Sequence, residues 1–343
     1  MFKELLNRLV EGKNLREDEA SEAMSSIMDG KALPTQIASF LTALRMKGET
    51  VQEITGFARA MRARTLPIRP TNGECVVDTC GTGGDGNNTF NISTAVAFVA
   101  AGSGLTVAKH GNRSVSSQCG SADVLEALGV NINLSPEKVQ KCLEEIGVAF
   151  LFAPLFHPAM MHAIGPRREM GFRTVFNLLG PLTNPAGANV QVIGVYRKDL
   201  VGPIAEVLRN LGCKGALVVH GEDHCDEISI TGKTFIVQLQ KGRIESYEIE
   251  PEDIGMKRRT LEQIWGGGAQ ENANILLEIL EGVQGPRREV VLLNASAVFM
   301  ATERVSNLRD GIEMAEESID SGRAMRKLKE LIRFSNGGRK DVS

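Results

Sequence analysis

The sequence predicts an α/β protein: a small N-terminal helical domain followed by a larger α/β domain with a mostly parallel sheet. Three observations carry this. Apolar residues recur at helical spacing over residues 1–65, with no strand signal. From residue 75, short β-branched or apolar runs alternate with helical stretches, the pattern of a parallel sheet with helices on its faces. The chain has 343 residues, 42% hydrophobic and 24% charged, enough to bury one large core or two ordinary ones.

The elements follow in order. Phe2, Leu5, Leu6, Leu9 and Val10 line one face of a first helix. Asn14 is a candidate cap for a second, which Gly30 follows. Ile37, Phe40, Leu41 and Leu44 mark a third. Thr50-Val51-Gln52-Glu53 reads as a capping box for a fourth, carrying Ile54, Phe57, Ala58 and Met61. Pro67 and Pro70 end the pattern, so the domains divide at 1–70 and 71–343. Strands are expected at Cys75–Asp78, Leu105–Ala108, Val148–Phe152, Val190–Val195, Ala216–His220 and Thr234–Val237. Helices are expected at 93–101, 121–128, 135–146 and 199–211. Residues 243–257 read as a hairpin or an irregular excursion, and the last 60 or so residues return to helix. The Pro- and Gly-rich stretch 155–188 either crosses back to the helical domain or forms a hinge.

Composition narrows the function. Lys plus Arg total 39 and Asp plus Glu total 42, a net charge of −3, which argues against a dedicated nucleic-acid or membrane-surface binder. The N-terminus lacks a basic stretch before an apolar core, so no signal peptide is read. The charge-free windows 86–108 and 148–166 are interrupted by Asn, Gly, Pro and His and do not read as membrane spans. Six cysteines without a CxxC pair fit free thiols in a reducing cytoplasm.

After the first strand comes Thr79-Cys80-Gly81-Thr82-Gly83-Gly84-Asp85-Gly86. Gly81, Gly83 and Gly86 satisfy G-x-G-x-x-G, but the dinucleotide reading needs an acid about 20 residues on. Residues 86–122, 37 in all, contain no Asp or Glu, where an average composition would place roughly four. An acid-free window beside a glycine loop fits a site for a multiply charged anion. Glycines let backbone N–H groups face phosphate oxygens, and a following helix N-terminus adds positive potential. Asn91, Ser93 and Thr94 at that helix start would cap it, donate to a phosphate, or both. Lys109-His110-Gly111-Asn112-Arg113-Ser114-Val115-Ser116-Ser117 is a run of donors at the carboxyl end of a strand, where α/β sheets bind ligands. A third cluster, His220-Gly221-Glu222-Asp223-His224-Cys225-Asp226-Glu227, admits zinc on His220, His224 and Cys225, or magnesium on Asp226 and Glu227. Hard oxygen ligands suit a metal that neutralises phosphates, so the neighbouring glycine loop favours magnesium.

Taken together, DTCGTGGDGNNTFNIST (78–94), KHGNRSVSSQCGSADVLEALG (109–129), HPAMMHAIGPRREMGFRTVFNLLGPLTNPAG (157–187) and the Asp226-Glu227 pair resemble the anthranilate phosphoribosyltransferase family, in that family's order. The helical start and Gly266-Gly267…Glu271-Asn272-Ala273 also fit. One departure is His224-Cys225, where the family more often has Gly and an apolar residue. The resemblance implies a fold of the nucleoside phosphorylase/phosphoribosyltransferase type, Mg²⁺ as cofactor and a homodimer through the helical domain. By position, Gly81, Gly84, Asp85, Thr89, Asn91, Ile92, Ser93, Thr94, Lys109 through Ser117 and Ser121 would bind phosphoribosyl pyrophosphate. Ser93, Asp226 and Glu227 would hold Mg²⁺. Gly81, Asn112 and Arg167 would hold anthranilate, the guanidinium recognising a carboxylate. Lys109 and His110 are the catalytic candidates, and His157 and His162 read as structural. The implied reaction joins the amine of anthranilate to C1 of the ribose and releases pyrophosphate. Competing readings are a dehydrogenase, a relative using another amine acceptor, and a nucleic-acid-binding member of the fold without catalysis. The missing acid opposes the first and the net charge opposes the last; nucleic acid and membrane are not expected partners.

Overall fold

The structure, a computed structural model, describes residues 2–70, 75–84, 86–114 and 118–338. The chain begins with helices α1 (Phe2–Val10), α2 (Glu17–Met28), α3 (Pro34–Lys47) and α4 (Val51–Arg62). The expected capping box starts α4: the Glu53 N–H donates to Thr50 Oγ1 at 3.3 Å, and the Thr50 N–H donates to Glu53 Oε2 at 2.8 Å. Asn14 does not cap α2. Arg16 holds the N-cap position, and Asn14 Oδ1 instead accepts from Lys47 Nζ at 3.0 Å, tying the first loop to the end of α3.

Among the described residues the sheet has seven strands: β1 (Val76–Gly81), β2 (Thr106–Gly111), β3 (Val148–Phe152), β4 (Val190–Gly194), β5 (Gly215–Gly221), β6 (Thr234–Gln240) and β7 (Arg243–Ile249). Their spatial order is β3-β2-β1-β4-β5-β6-β7. β1 to β5 pair in parallel, while β6 and β7 add antiparallel at one edge. The segment after residue 242 is therefore a hairpin strand, turned at Lys241-Gly242 with both φ angles positive, followed by a 3₁₀ turn at Pro251–Ile254.

Strand alternation divides two cores. Val190 and Val192 of β4 and Leu217 and Val219 of β5 face one; Ile193 and Val195, and Ala216 and Val218, face the other. The first core takes α5 (Ile92–Gly102), α6 (Ser121–Ala127), α7 (Pro136–Ile146) and the C-terminal helices α12 (Ala269–Leu280), α13 (Pro286–Ala301), α14 (Leu308–Asp320) and α15 (Arg323–Ser335). α5 is apolar nearly all round because it is covered by the sheet on one side and by α13 and α15 on the other. The second core is shared by α1–α4, α10 (Val175–Leu182) and α11 (Val201–Asn210).

Residues 155–188 are more ordered than an open hinge. They hold the end of α8 (Ala153–Phe156), then α9 (Met161–Met170) and α10. α9 packs against α2 and α3, and α10 against α3 and α4. The chain runs from β1 outward to β2 and β3, then returns to β4 on the other side of β1. The carboxyl ends of β1 and β4 thus flank a topological switch point, where open α/β sheets bind ligands.

Candidate active site

The loop after β1 is bent by its glycines. Gly83, Gly84 and Gly86 have φ of +68°, +72° and +85°, values that side chains disfavour. The loop is bonded to its neighbours on both sides. The Thr82 N–H donates to the Gly194 carbonyl at 2.9 Å, and Thr82 Oγ1 accepts from the Tyr196 N–H at 3.2 Å. The Gly83 N–H donates to Asp226 Oδ2 at 2.9 Å. Gly81 and Gly194 make room for this acidic turn: a Cβ on Gly81 would overlap the Asp226 carboxylate, and one on Gly194 would overlap its carbonyl.

Lys109 is buried at the end of β2. Its Nζ donates to the Thr79 carbonyl at 2.6 Å and to Ser93 Oγ at 3.2 Å. Burial pushes its pKa down, while the charges of Asp78, Cys80 and Glu227 pull it back up. Asp78, fully buried, accepts from the His110 backbone N–H at 3.2 Å and from Asn184 Nδ2 at 2.8 Å. Burial raises its carboxyl to about 6, opposed first by Lys109. Burial, reinforced by Asp78, pushes the Cys80 thiol well above the ordinary value, which disfavours the thiolate form.

His110 and His157 meet with their Nε2 atoms 3.0 Å apart, so one ring donates and the other accepts. Desolvation holds His110 down at about 3, with His157 the next cause, and holds His157 at about 4. Both are therefore neutral at pH 7. His162 instead sits against Gly30, at the end of α2.

At the start of α5, Asn91 joins three segments rather than capping the helix. Its Nδ2 donates to the Cys119 carbonyl at 3.2 Å, and its Oδ1 accepts from Asn272 Nδ2 at 3.0 Å. Asn272 Oδ1 in turn accepts from the Gly267 N–H at 2.8 Å. Thr89 forms a bridge with Trp265, whose side chain is partly exposed. The Ile92 side chain belongs to the core. The Thr94 hydroxyl is buried and finds no hydrogen-bond partner among the described residues. An orphaned buried hydroxyl at a helix start is costly unless a ligand satisfies it.

The loop after β2 is held by Asp123, which accepts from the N–H groups of Ser114 at 3.0 Å and Gly120 at 2.9 Å. Gly111 lies tight against Ser121, and Asn112 is exposed, with Oδ1 accepting from the Arg113 N–H at 2.8 Å. Arg113 does not present a free cation: its guanidinium pairs with Asp123 at 3.0 Å and Glu126 at 2.5 Å. Arg167 is half-buried, with its guanidinium 5.0 Å over the Phe176 ring, whereas Arg168 is exposed. The predicted positions Asp85, Val115, Ser116 and Ser117 lie outside the described residues.

The acidic cluster divides by role. Asp223 accepts from the Cys225 N–H and Ser229 Oγ, at 3.0 and 2.7 Å, and so shapes the turn. His220 Nδ1 is engaged with the Val195 carbonyl at 2.7 Å, and among the described residues no three of His, Cys, Asp or Glu are grouped as metal ligands. His224 has φ +65°, the conformation glycine favours, and Cys225 is buried as an apolar residue. The His224-Cys225 pair thus occupies the conformation and burial that Gly and an apolar residue would. Asp226 and Glu227 remain beside the glycine loop and Lys109. Their carboxylates and the Ser93 hydroxyl are hard oxygen donors, the kind that Mg²⁺ takes along with waters and phosphates.

The sequence did not mark Asp78, Asn184, His157 as partner of His110, or Gly194. Asp78 carried a signal, a charge ending an apolar strand run; the others meet the site only through tertiary packing.

A glycine loop, a buried lysine and an acidic pair gathered at the switch point define an enzyme that handles a phosphorylated donor, and family comparison places it among glycosyl transferases. Residues 73–325 match the model described as "Glycosyl transferase family, a/b domain", and residues 3–65 match "Glycosyl transferase family, helical bundle domain". The anthranilate phosphoribosyltransferase of Moorella thermoacetica is 56% identical over 97% of this chain and 98% of its own; that of Acetivibrio thermocellus is 54% identical over 98% and 97%. The crystal structure of the Thermus thermophilus enzyme superposes with a TM-score of 0.92 at 45% identity, covering 97% of this chain and 99% of that one. The Saccharomyces cerevisiae enzyme, solved in complex with PRPP and Mg, gives 0.89 at 30% identity, covering 98% of each. The chain belongs to the anthranilate phosphoribosyltransferase family. Its reaction is transfer of the phosphoribosyl group from 5-phosphoribosyl 1-pyrophosphate to the amine of anthranilate, in tryptophan biosynthesis.

Proposed function

We propose that this transfer takes place at the β1/β4 switch point. In this reading Gly81, Gly84, Asp85, Thr89, Asn91–Thr94, Lys109–Ser117 and Ser121 bind the donor, and Gly81, Asn112 and Arg167 bind anthranilate. The observation that carries it is that Lys109 bonds to Thr79 of β1 and to Ser93 at the start of α5, while Asp226 holds the glycine turn that follows β1. Ser93, Asp226 and Glu227 would hold Mg²⁺, which supplies positive charge to the diphosphate when bound.

The chemistry needs no covalent nucleophile. The aromatic amine is neutral at pH 7 and attacks C1 as the C1–O bond to pyrophosphate breaks. Lys109 and the loop N–H groups stabilise negative charge growing on the leaving oxygens. The nitrogen then carries an acidic proton, and the neutral His110 imidazole is the group assigned to receive it. Holding amine and donor in line supplies much of the rate.

Residues 1–70, joined by α9 and α10, form one lobe, and the remainder of 71–343 forms a second that closes on it. Packing of α9 on α2 and α3 supports this division. No helix among the described residues is long and apolar enough to cross a membrane. A cytoplasmic homodimer, paired through the helical lobe, is part of the same proposal. Steady-state kinetics of Arg167→Ala test the acceptor assignment. The KM for anthranilate rises far more than the KM for the donor; equal rises would refute the assignment.

A further inference from the structure

Arg173 lies in the turn between α9 and α10, yet it reaches the glycine loop. Its guanidinium carbon is 4.4 Å from the centroid of the Tyr196 ring. A Cβ on Gly84 would collide with its Nη2, so the cation rests against the bare Cα of the loop. Tyr196 is a fixed platform, because its N–H is bonded to Thr82 within that same loop. Among the described residues no carboxylate pairs with Arg173.

We propose that Arg173 binds the diphosphate of the donor. A guanidinium stacked on an aromatic ring keeps its N–H groups in the plane of the fork, free to donate to two phosphate oxygens. The diphosphate is the end of the donor it meets, because the adjacent Gly83 is bonded to Asp226, on the side assigned to the metal. The turn that carries Arg173 follows α9, which carries Arg167. One segment, packed on the helical lobe, therefore delivers a cation to each substrate. This inference rests on the donor site proposed above and adds to it a residue from outside its two loops.

The test is calorimetric titration of inorganic pyrophosphate with Mg²⁺, and of the donor with Mg²⁺, into wild type, Arg173→Gln, Arg173→Lys and Lys109→Met. Arg173→Gln weakens both affinities by about tenfold or more, Arg173→Lys recovers part of the loss, and the anthranilate KM at saturating donor stays near wild type. Wild-type pyrophosphate affinity in Arg173→Gln overturns the proposal, as does equal weakening of donor and acceptor. If Lys109→Met weakens binding and Arg173→Gln does not, Arg173 alone is refuted; if neither does, the donor site itself is misplaced. Should Arg173→Gln melt early, Tyr196→Leu removes the platform and keeps the charge. It weakens pyrophosphate in the same direction, and an unchanged affinity refutes the role.

Discussion

The backbone N–H of Gly83 donates to the carboxylate of Asp226 at 2.9 Å, across 143 positions of sequence. This bond fixes the acidic turn to the glycine loop, and it exists only because Gly81 and Gly194 leave room for Asp226.

Gly194→Ala therefore displaces the 226–227 turn. Overpacking of this kind costs about 1–3 kcal/mol, and the Mg²⁺ concentration for half-maximal rate rises. A thermal melt together with a Mg²⁺ titration measures both. An unchanged Mg²⁺ requirement would separate Asp226 from metal binding.

Asp78→Asn keeps the shape of a buried carboxylate that accepts from His110 and Asn184. The amide has one acceptor where two are used, so the variant loses about 1–3 kcal/mol. It also removes the charge that pulls the Lys109 pKa upward. The alkaline limb of the pH–rate profile consequently moves to lower pH; a limb that stays in place would show that Asp78 does not act on Lys109.

Burial holds His110 at about 3 and His157 at about 4, below the unfolded value of 6.5. Each buried imidazole is thus charged more readily when unfolded, and stability falls as pH drops from about 6.5 toward 4, by roughly 2 kcal/mol per histidine at pH 5. Asp78, raised to about 6, acts in the opposite direction over part of this range. Comparing wild type with His157→Gln isolates the histidine. The variant loses less stability between pH 7 and pH 5, and parallel curves would contradict the buried pair.

Glu53 is fully buried in the helical lobe, accepting from the Leu15 N–H at 2.9 Å and pairing with Lys47 at 2.9 Å. Glu53→Ala strands the nearly buried Lys47 and costs about 3–5 kcal/mol. Chemical denaturation reads the loss, and a shift under about 1 kcal/mol, the scale of a surface pair, would contradict it.

Much of the fold was legible because local signals agreed: the Thr50 capping box, Ser135-Pro136 before α7 with Gly147 after it, and Val148–Phe152 as a fully buried strand. α9 and α10 were not, because Pro166 and Pro181 lie inside them and Gly165, Gly171 and Gly180 lower helical propensity. Those helices persist through packing on α2–α4. The glycine loop, Lys109 and the acidic pair stood out as clustered chemistry. Arg173 and Asn184 did not, since nothing local marks a residue whose partner is distant in sequence; Asn184 lies 106 positions from Asp78. The ion pairing of Arg113 was not legible for a related reason: its partners Asp123 and Glu126 are on α6, just past the end of the acid-free window.

The most direct test of the central claim follows anthranilate fluorescence after mixing the protein with phosphoribosyl pyrophosphate and Mg²⁺. The signal decays only when all three are present, and Lys109→Met, folded by circular dichroism, is slower by about 10²–10³. A wild-type signal that does not decay, or a Lys109→Met rate equal to wild type, would contradict a transfer site at the end of β2.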